Sequence, residues 1–170
     1  AAGSTFVASE GSDNTATVWN LRNLAEPPIT ISGHKGPVRA IAFSPDDRWL
    51  ATGSDDNTVR LWRTEWFGAA YIELVGHSDY VRALAFSPDG RLLATGGWDA
   101  IIRLWDMGDL DSAPKVLKRQ GVVSAIAFSP DGRWAASAED KAYLWDARDF
   151  GADPLGVTSP SRFLTSVAFS

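Results

Sequence analysis

Residues 81–106 read VRALAFSPDGRLLATGGWDAIIRLWD, a run of short β-prone segments separated by polar turns. The first turn, SPDG at residues 87–90, puts Pro where φ near roughly −65° is needed and Gly where a positive φ follows. The segments are too short for helices, and LAF at residues 84–86 is apolar on both faces, as in a strand buried on both sides. The pattern therefore predicts β-hairpins.

The same pattern recurs along the chain with one period. Tryptophans in a shared context lie 43, 43 and 40 residues apart, at Trp19, Trp62, Trp105 and Trp145. AFS triplets recur in phase with them, at residues 42–44, 85–87, 127–129 and 168–170. Each period holds three clear strands and a weaker fourth, such as residues 71–75. Four strands in such a period predict an all-β propeller whose repeat is a four-stranded antiparallel blade.

On these residues the chain resembles the WD40-repeat family over essentially its whole length. The matching elements are the Gly-His pairs at 33–34 and 76–77, the AFSPD turns, TGSDD at 52–56, and the Trp-Asp pairs at 105–106 and 145–146. The resemblance implies a polar network within a blade that joins His, Ser or Thr, Asp and Trp. Two such sets are implied, one of His34, Thr52, Asp56 and Trp62 and the other of His77, Thr95, Asp99 and Trp105.

The third full repeat departs from this pattern. Arg119 stands at the His position and Lys118 at the Gly position. The segment SAEDKAYLW at residues 137–145 is one residue shorter than residues 53–62, which leaves Glu139 or Asp140 as the turn acid. We therefore expect this repeat to lack the network and to be looser or specialised.

The repeats divide residues 1–170 into a single array of about four blade equivalents. We expect a partial blade over 1–32, complete blades over 33–75, 76–118 and 119–158, and within 159–170 a single strand from Phe163 to Phe169. The partial blades at the two ends are complementary, whereas the resemblance implies about seven or eight blades. Three interpretations stay open: a piece of a longer array, a homodimer that completes an eight-blade ring, and a four-blade monomer.

Composition and charge exclude several classes of function. With 16 basic and 21 acidic residues the net charge is −5, which does not support electrostatic binding to nucleic acid or anionic lipid. No apolar run approaches the roughly 20 residues that span a bilayer. The absence of cysteine excludes disulfides and thiolate zinc sites. We expect neither nucleic acid nor membrane as a partner, and a cytoplasmic location.

An enzymatic interpretation of the His, Thr and Asp sets is the weaker one. A nucleophile, a base and an orienting acid could be found among them, but the same residue types recur in two repeats with Trp as a fourth member. A hydroxyl buried against an indole has no oxyanion hole beside it. His34 and His77 are the only histidines, which disfavours a multi-His metal site. We therefore expect no catalytic residues, no cofactor and no bound metal.

Binding is expected on the loops that carry the His residues and the Asp turns, at one end of the propeller. Aromatic and Arg residues dominate binding hot spots, and the candidates are Arg39, Tyr80, Arg82, Trp98 and Asp55. Two alternatives remain. Trp98 packs over a neighbouring blade instead of binding a partner, and Arg39 and Arg82 are solvated or ion-paired charges at the rim.

The sequence thus predicts a non-enzymatic scaffold that presents propeller loops to a protein partner. The alternative is a sensor or autoinhibitory region of a larger signalling protein, with an NTPase, kinase or protease domain outside this chain. Binding of a glycan or small ligand is less favoured because few polar positions are available at the channel mouth.

Overall fold

The chain folds as an all-β protein. The computed structural model describes residues 5–157 and 163–170, and in this part of the chain it contains fifteen strands and one short 3-10 helix, Thr64–Trp66. The predicted fold class is therefore confirmed. No helix within the described ranges is long and apolar enough to cross a membrane.

The strands pair in chain order to form four sheets. The first sheet has three strands: β1 (Phe6–Glu10), β2 (Ala16–Asn20) and β3 (Ile29–Ile31). The second has four: β4 (Val38–Phe43), β5 (Trp49–Ser54), β6 (Val59–Arg63) and β7 (Tyr71–Leu74). The third has four: β8 (Val81–Phe86), β9 (Leu92–Gly97), β10 (Ile101–Asp106) and β11 (Lys115–Lys118). The fourth has four: β12 (Ala125–Phe128), β13 (Trp134–Ala138), β14 (Ala142–Asp146) and β15 (Leu155–Val157).

Two compact units, Ala1–Val81 and Arg82–Ser170, each contain an apolar core. In the first unit the faces of the first two sheets pack together through Ala16, Val18, Ile31, Val38, Leu50 and Trp62. In the second unit the third and fourth sheets pack through Ala83, Ala94, Ile102, Leu104, Val123, Ala135, Trp145 and Phe150. Small and branched aliphatic side chains outnumber the aromatic ones in both cores.

The turns between the first two strands of each four-stranded sheet adopt the predicted backbone. Gly90 and Gly132 have φ of 71° and 68°, and Asp47 takes the same left-handed conformation with φ of 56°. Asp tolerates this region better than most residues. Asp47 thus takes the place that Gly90 and Gly132 hold in the other two turns.

One predicted strand is not formed. No strand is assigned within residues 163–170, and the Leu164 N–H donates a backbone hydrogen bond to Glu139 O at 3.0 Å. Residues 159–162, assigned to the same predicted segment, lie outside the described residues.

Candidate functional site

The first predicted polar set comes together in the second sheet. His34 lies in the loop before β4, and its Nε2 is 2.8 Å from the Thr52 hydroxyl on β5. The same hydroxyl accepts a hydrogen bond from the Trp62 indole on β6 at 2.9 Å. On the other side of the ring, Nδ1 lies 2.9 Å from the Asp56 carboxylate in the turn. The four residues form one continuous chain of hydrogen bonds.

The direction of this chain follows from the charges. Burial lowers the pKa of His34 despite the opposing effect of Asp56, so the imidazole is neutral near pH 7. Burial acts to raise the pKa of Asp56, but hydrogen bonds from the Thr58 hydroxyl, the Lys35 N–H and the His34 ring outweigh it and lower the pKa to about 2. Nδ1–H therefore donates to the carboxylate, and Nε2 accepts from the Thr52 hydroxyl, which in turn accepts from Trp62.

This arrangement suits a structural role better than catalysis. Thr52 is 0% exposed, so a substrate cannot reach its hydroxyl. The hydroxyl is already hydrogen-bonded to His34 and to Trp62. Within residues 5–157 and 163–170, no three His, Asp or Glu side chains are grouped so as to hold a metal ion. The network links a loop, two strands and a turn of one sheet.

Glycine before the histidine is required by close packing. Gly33 has φ of 139°, and a Cβ at this position would lie 2.6 Å from Nη1 of Arg60. Arg60 is a buried residue on β6 whose Nη2 donates to Glu73 at 3.1 Å and whose guanidinium lies 4.2 Å from the Tyr71 ring centroid. The Gly-His pair therefore seats a buried arginine as well as the imidazole.

Part of the second predicted set lies in the second unit. There the Trp105 indole donates to the Thr95 hydroxyl at 3.0 Å. Asp99 accepts from Nη1 of Arg103 at 3.0 Å, and both side chains are buried. His77 is also buried, and it belongs to the first unit. The sequence analysis missed Arg103, although its signal was present: Arg103 and Arg60 both precede the repeat tryptophan by two residues.

In the third full repeat the strand register changes the expected correspondence. Ser137 pairs with Tyr143 as Thr52 pairs with Arg60, so Ser137 stands where the second sheet has Thr52. The turn between the two strands is then two residues shorter than in the second sheet, not one. The acidic residue of the turn therefore stands closer along the chain to Ser137 than Asp56 stands to Thr52. From this position a side chain longer than that of aspartate can reach the network.

This repeat lacks the network of His, Thr, Asp and Trp, as expected, but it holds a different network in its place. Glu139 is the acid, and its Oε1 accepts from the Ser137 hydroxyl at 2.7 Å and from Arg119 Nε at 2.9 Å. The Arg119 guanidinium lies 4.2 Å from the Tyr143 ring centroid and 5.0 Å from that of Trp145. Ser137 and Glu139 are buried. A different set of residues therefore builds a buried network at the equivalent place.

Glu139 is the least compensated group of this second network. Burial raises its pKa, although the hydrogen bonds from Ser137 and Arg119 act in the opposite direction. Both of these bonds reach Oε1, while Oε2 is buried and has no hydrogen-bond partner in the described part of the chain. The sequence did carry a signal of this network. Compared with the second sheet, the loop has Arg119 in place of His34, and the strand has Tyr143 in place of Arg60.

The candidate binding residues of the first unit occupy loop and strand-end positions. Arg39 Nε donates to Asp55 Oδ2 at 3.0 Å, and 37% of the Arg39 side chain is exposed. The structure brings these two candidates together as an ion pair, the arrangement named above as the alternative for Arg39. Tyr80 is 37% exposed.

The candidates of the second unit form a stacked pair. The Arg82 guanidinium lies 5.2 Å from the Trp98 ring centroid, within reach of a cation–π interaction. Trp98 is 48% exposed and directly precedes Asp99, whose Oδ1 accepts from the Ile101 N–H at 3.2 Å. The turn that carries this half-exposed aromatic ring is thus held by a partly buried hydrogen bond.

Sequence comparison identifies the repeats. The family profile described as WD domain, G-beta repeat matches residues 25–63, 69–106 and 114–146, which together are more than half of the chain. Comparison with individual characterised proteins gave no significant match. Each matched segment ends at the repeat tryptophan or within one residue of it, so the profile and the strand pattern share one phase.

Proposed function

Because the chain belongs to the WD40-repeat family, whose members typically act as non-enzymatic scaffolds, we propose that it binds a protein partner through its aromatic and Arg loop residues. The observation that carries the proposal is Trp98, a large ring 48% exposed on a well-held turn. A rigid turn loses little conformational entropy on binding, and tryptophan brings much apolar area.

Arg82 adds directional recognition to this surface. Its guanidinium lies 5.2 Å from the Trp98 ring centroid, and stacking of this kind orders a side chain that is otherwise flexible. A planar, ordered guanidinium can bond a carboxylate or a backbone carbonyl of a partner. We propose that this pair is the main contact of the second unit.

In the first unit we propose weaker contacts at the equivalent loops. Arg39 and Asp55 already satisfy each other at 3.0 Å, so a partner gains little by displacing them. Tyr80 is exposed enough to contribute apolar area and a hydroxyl.

The test is a double substitution with a matched control. A captured partner is purified and titrated against the wild type, the double variant Trp98→Ala with Arg82→Ala, and Trp66→Ala. Trp66 is 64% exposed in the 3-10 helix, so its loss controls for the general removal of an exposed indole. We expect the double variant to weaken binding at least about tenfold and Trp66→Ala to leave it unchanged.

The opposite result would place the binding surface elsewhere. If Trp66→Ala abolishes binding while the double variant retains wild-type affinity, the loops named here are not the contact. Circular dichroism of each variant should match the wild type, because neither substitution removes a buried side chain.

A further inference from the structure

The strand ends opposite to the Trp98 turn carry a second surface. Leu92 opens β9 and Trp98 follows its last residue, so at about 3.3 Å per residue the two lie about 20 Å apart. At the Leu92 end, the SPDG turn of the third sheet meets the SPDG turn of the fourth. A Cβ on Gly132 would lie 3.8 Å from Pro88 Cδ, which is an ordinary van der Waals distance. The two turns thus form one surface, separate from the Trp98 loop.

A cleft of about 380 Å³ lies between these two turns. Leu92, Phe128 and Ala147 form its floor, because they are partly buried and pack against the core of the second unit. Pro88 and Pro130 are exposed at its rim, and their rings fix φ in both turns. A cleft built on core contacts and proline turns is rigid, so binding there costs little conformational entropy of the protein.

Two exposed aspartates, Asp89 and Asp131, also stand at the rim. In each, Oδ1 accepts from the serine hydroxyl that opens the turn, at 2.6 Å and 2.5 Å respectively. Oδ1 also accepts from the backbone N–H two residues further on, at 3.0 Å in both turns. These hydrogen bonds, led by the one from serine, hold the pKa of both carboxyls below the ordinary value. The turns therefore fix two negative charges beside the apolar floor.

The second oxygen of each carboxylate is left for a ligand. Within the described residues Asp131 forms no ion pair, and Asp89 pairs only with Arg91, whose Nε is 3.9 Å from Oδ2. The Arg91 side chain is 85% exposed, and such a pair contributes little. The Arg133 guanidinium lies over the Trp134 ring at 5.4 Å. No lysine or arginine belongs to the described lining of the cleft, so its two negative charges are not balanced there.

We propose that this cleft binds an extended segment of a protein partner in which an apolar residue has a basic residue two positions before it and two after it. Side chains two apart on an extended chain lie on the same face. The apolar side chain can therefore enter the floor at Leu92 and Phe128 while the two basic groups bond Oδ2 of Asp89 and Asp131.

Charge complementarity favours this occupant. An acidic segment or a nucleic acid would bring further negative charge to the two carboxylates. This inference does not rest on the proposed role of Trp98, which lies at the other end of β9.

Peptide titration tests both parts of the cleft without altering the protein. The probe is the capped peptide Gly-Arg-Ser-Leu-Ser-Arg-Gly, added to the isotope-labelled chain and followed by NMR. We expect saturable shifts of the Gly90 and Gly132 amides. Replacing the leucine of the peptide by serine, or both of its arginines by glutamate, should weaken binding at least about tenfold. A probe that gives no saturable shift, or an altered peptide that binds as tightly as the probe, overturns the proposal.

Ionic strength gives a second readout that needs no variant. Salt screens exposed charge pairs, because the Debye length falls from about 10 Å at 0.1 M to about 3 Å at 1 M. We expect the affinity for the probe to fall at least about threefold between these two concentrations. An affinity that does not fall would mean that the carboxylates do not bond the arginines, and it would overturn the proposal.

Removal of the two charges from the protein tests the assigned atoms. In the double variant Asp89→Asn with Asp131→Asn, each amide oxygen can still accept the bonds of its own turn, while the charge is lost. We expect the probe to bind this variant at least about threefold more weakly. Asp46→Asn is the matched control, because Asp46 makes the same turn bonds with Ser44 and the Arg48 N–H but does not line the cleft. Wild-type affinity in the double variant, or an equal loss in Asp46→Asn, contradicts the proposal.

Discussion

The β4–β7 sheet and the β12–β15 sheet join the same loop, strands and turn with different side chains. In the β4–β7 sheet the loop carries His34 and the strand carries Arg60. In the β12–β15 sheet the loop carries Arg119 and the strand carries Tyr143. A guanidinium lies 4.2 Å from a tyrosine ring centroid in both sheets, over Tyr71 in the β4–β7 sheet and over Tyr143 in the β12–β15 sheet. The stacked cation is thus kept while the residue that supplies it changes position.

The two sheets differ most in how they hold the carboxylate. Asp56 uses both oxygens, Oδ1 for the Thr58 hydroxyl and Oδ2 for the His34 ring, and its pKa falls to about 2. Glu139 concentrates its bonds on Oε1, and burial raises its pKa. A buried carboxylate stabilises a fold only when hydrogen bonds replace its lost hydration. The aspartate network meets this condition better than the glutamate network.

The largest effect is expected at Asp56. Asp56→Ala leaves the His34 Nδ1–H and the Thr58 hydroxyl without their acceptor, in a site where few waters can replace it. We expect the free energy of unfolding to fall by about 1 to 3 kcal/mol. Chemical denaturation measures this change, and Asp153→Ala is the control because Asp153 is an exposed acid. A melting curve for Asp56→Ala equal to that of the wild type would show that the network does not stabilise the sheet.

The aspartate network could be foreseen because its members recur in phase. His34, Thr52, Asp56 and Trp62 stand at offsets that return in the next repeat, and the hairpin turns are marked by Pro, Asp and Gly. Such a pattern fixes strand order and predicts which side chains meet. It does not say whether an edge is paired, and no strand is assigned within residues 163–170, where one was expected.

The glutamate network could not be foreseen from the same pattern. The shortened turn moves the acid from four residues after the strand hydroxyl to two residues after it, and only the longer side chain of Glu139 then reaches Arg119. Repeat offsets compare positions, whereas a hydrogen bond depends on the reach of each side chain. In the sequence, Arg119 and Tyr143 look like two unrelated departures from the repeat pattern. The structure shows that they belong together, because the Arg119 guanidinium lies over the Tyr143 ring.

A smaller effect is expected at Arg119. Arg119→Lys keeps the charge but loses the planar group that stacks between Tyr143 and Trp145 while bonding Glu139. We expect a loss of about 1 kcal/mol in the free energy of unfolding. Arg133→Lys is the matched control, because Arg133 also lies over a ring, Trp134 at 5.4 Å, but is exposed. Equal losses for the two variants would mean that burial adds nothing to the stacking.

The pH dependence of stability should have opposite signs in the two networks. The pKa of His34 in the folded state lies below its ordinary 6.5, so its contribution is present above that pH and is lost on acidification through it. The pKa of Glu139 lies above its ordinary 4.5, so its contribution is present below that pH and is lost as pH rises through the folded pKa.

Denaturation between pH 8 and pH 4 measures both signs as differences between variants. The advantage of the wild type over His34→Gln should shrink as pH falls through the ordinary pKa of the imidazole. Over the same range, stability relative to Glu139→Gln should shift in favour of the wild type near the acidic end. If the stability difference between the wild type and each variant stays constant with pH, then neither His34 nor Glu139 has a different pKa in the folded and the unfolded state.

The smallest change is expected for Glu139→Gln at neutral pH. The amide oxygen can still accept from Ser137 and Arg119, while the buried charge is removed and an amide NH2 takes the place of the unbonded Oε2. The loss of attraction to Arg119 and the relief of desolvation therefore oppose each other, and we expect a net change within about 0.5 kcal/mol. Asp56→Asn is the comparison, because there the carboxylate oxygens are bonded and should not be exchangeable without loss. If Glu139→Gln destabilises the chain as much as Asp56→Asn does, the two networks hold their acids equally well and the distinction between them fails.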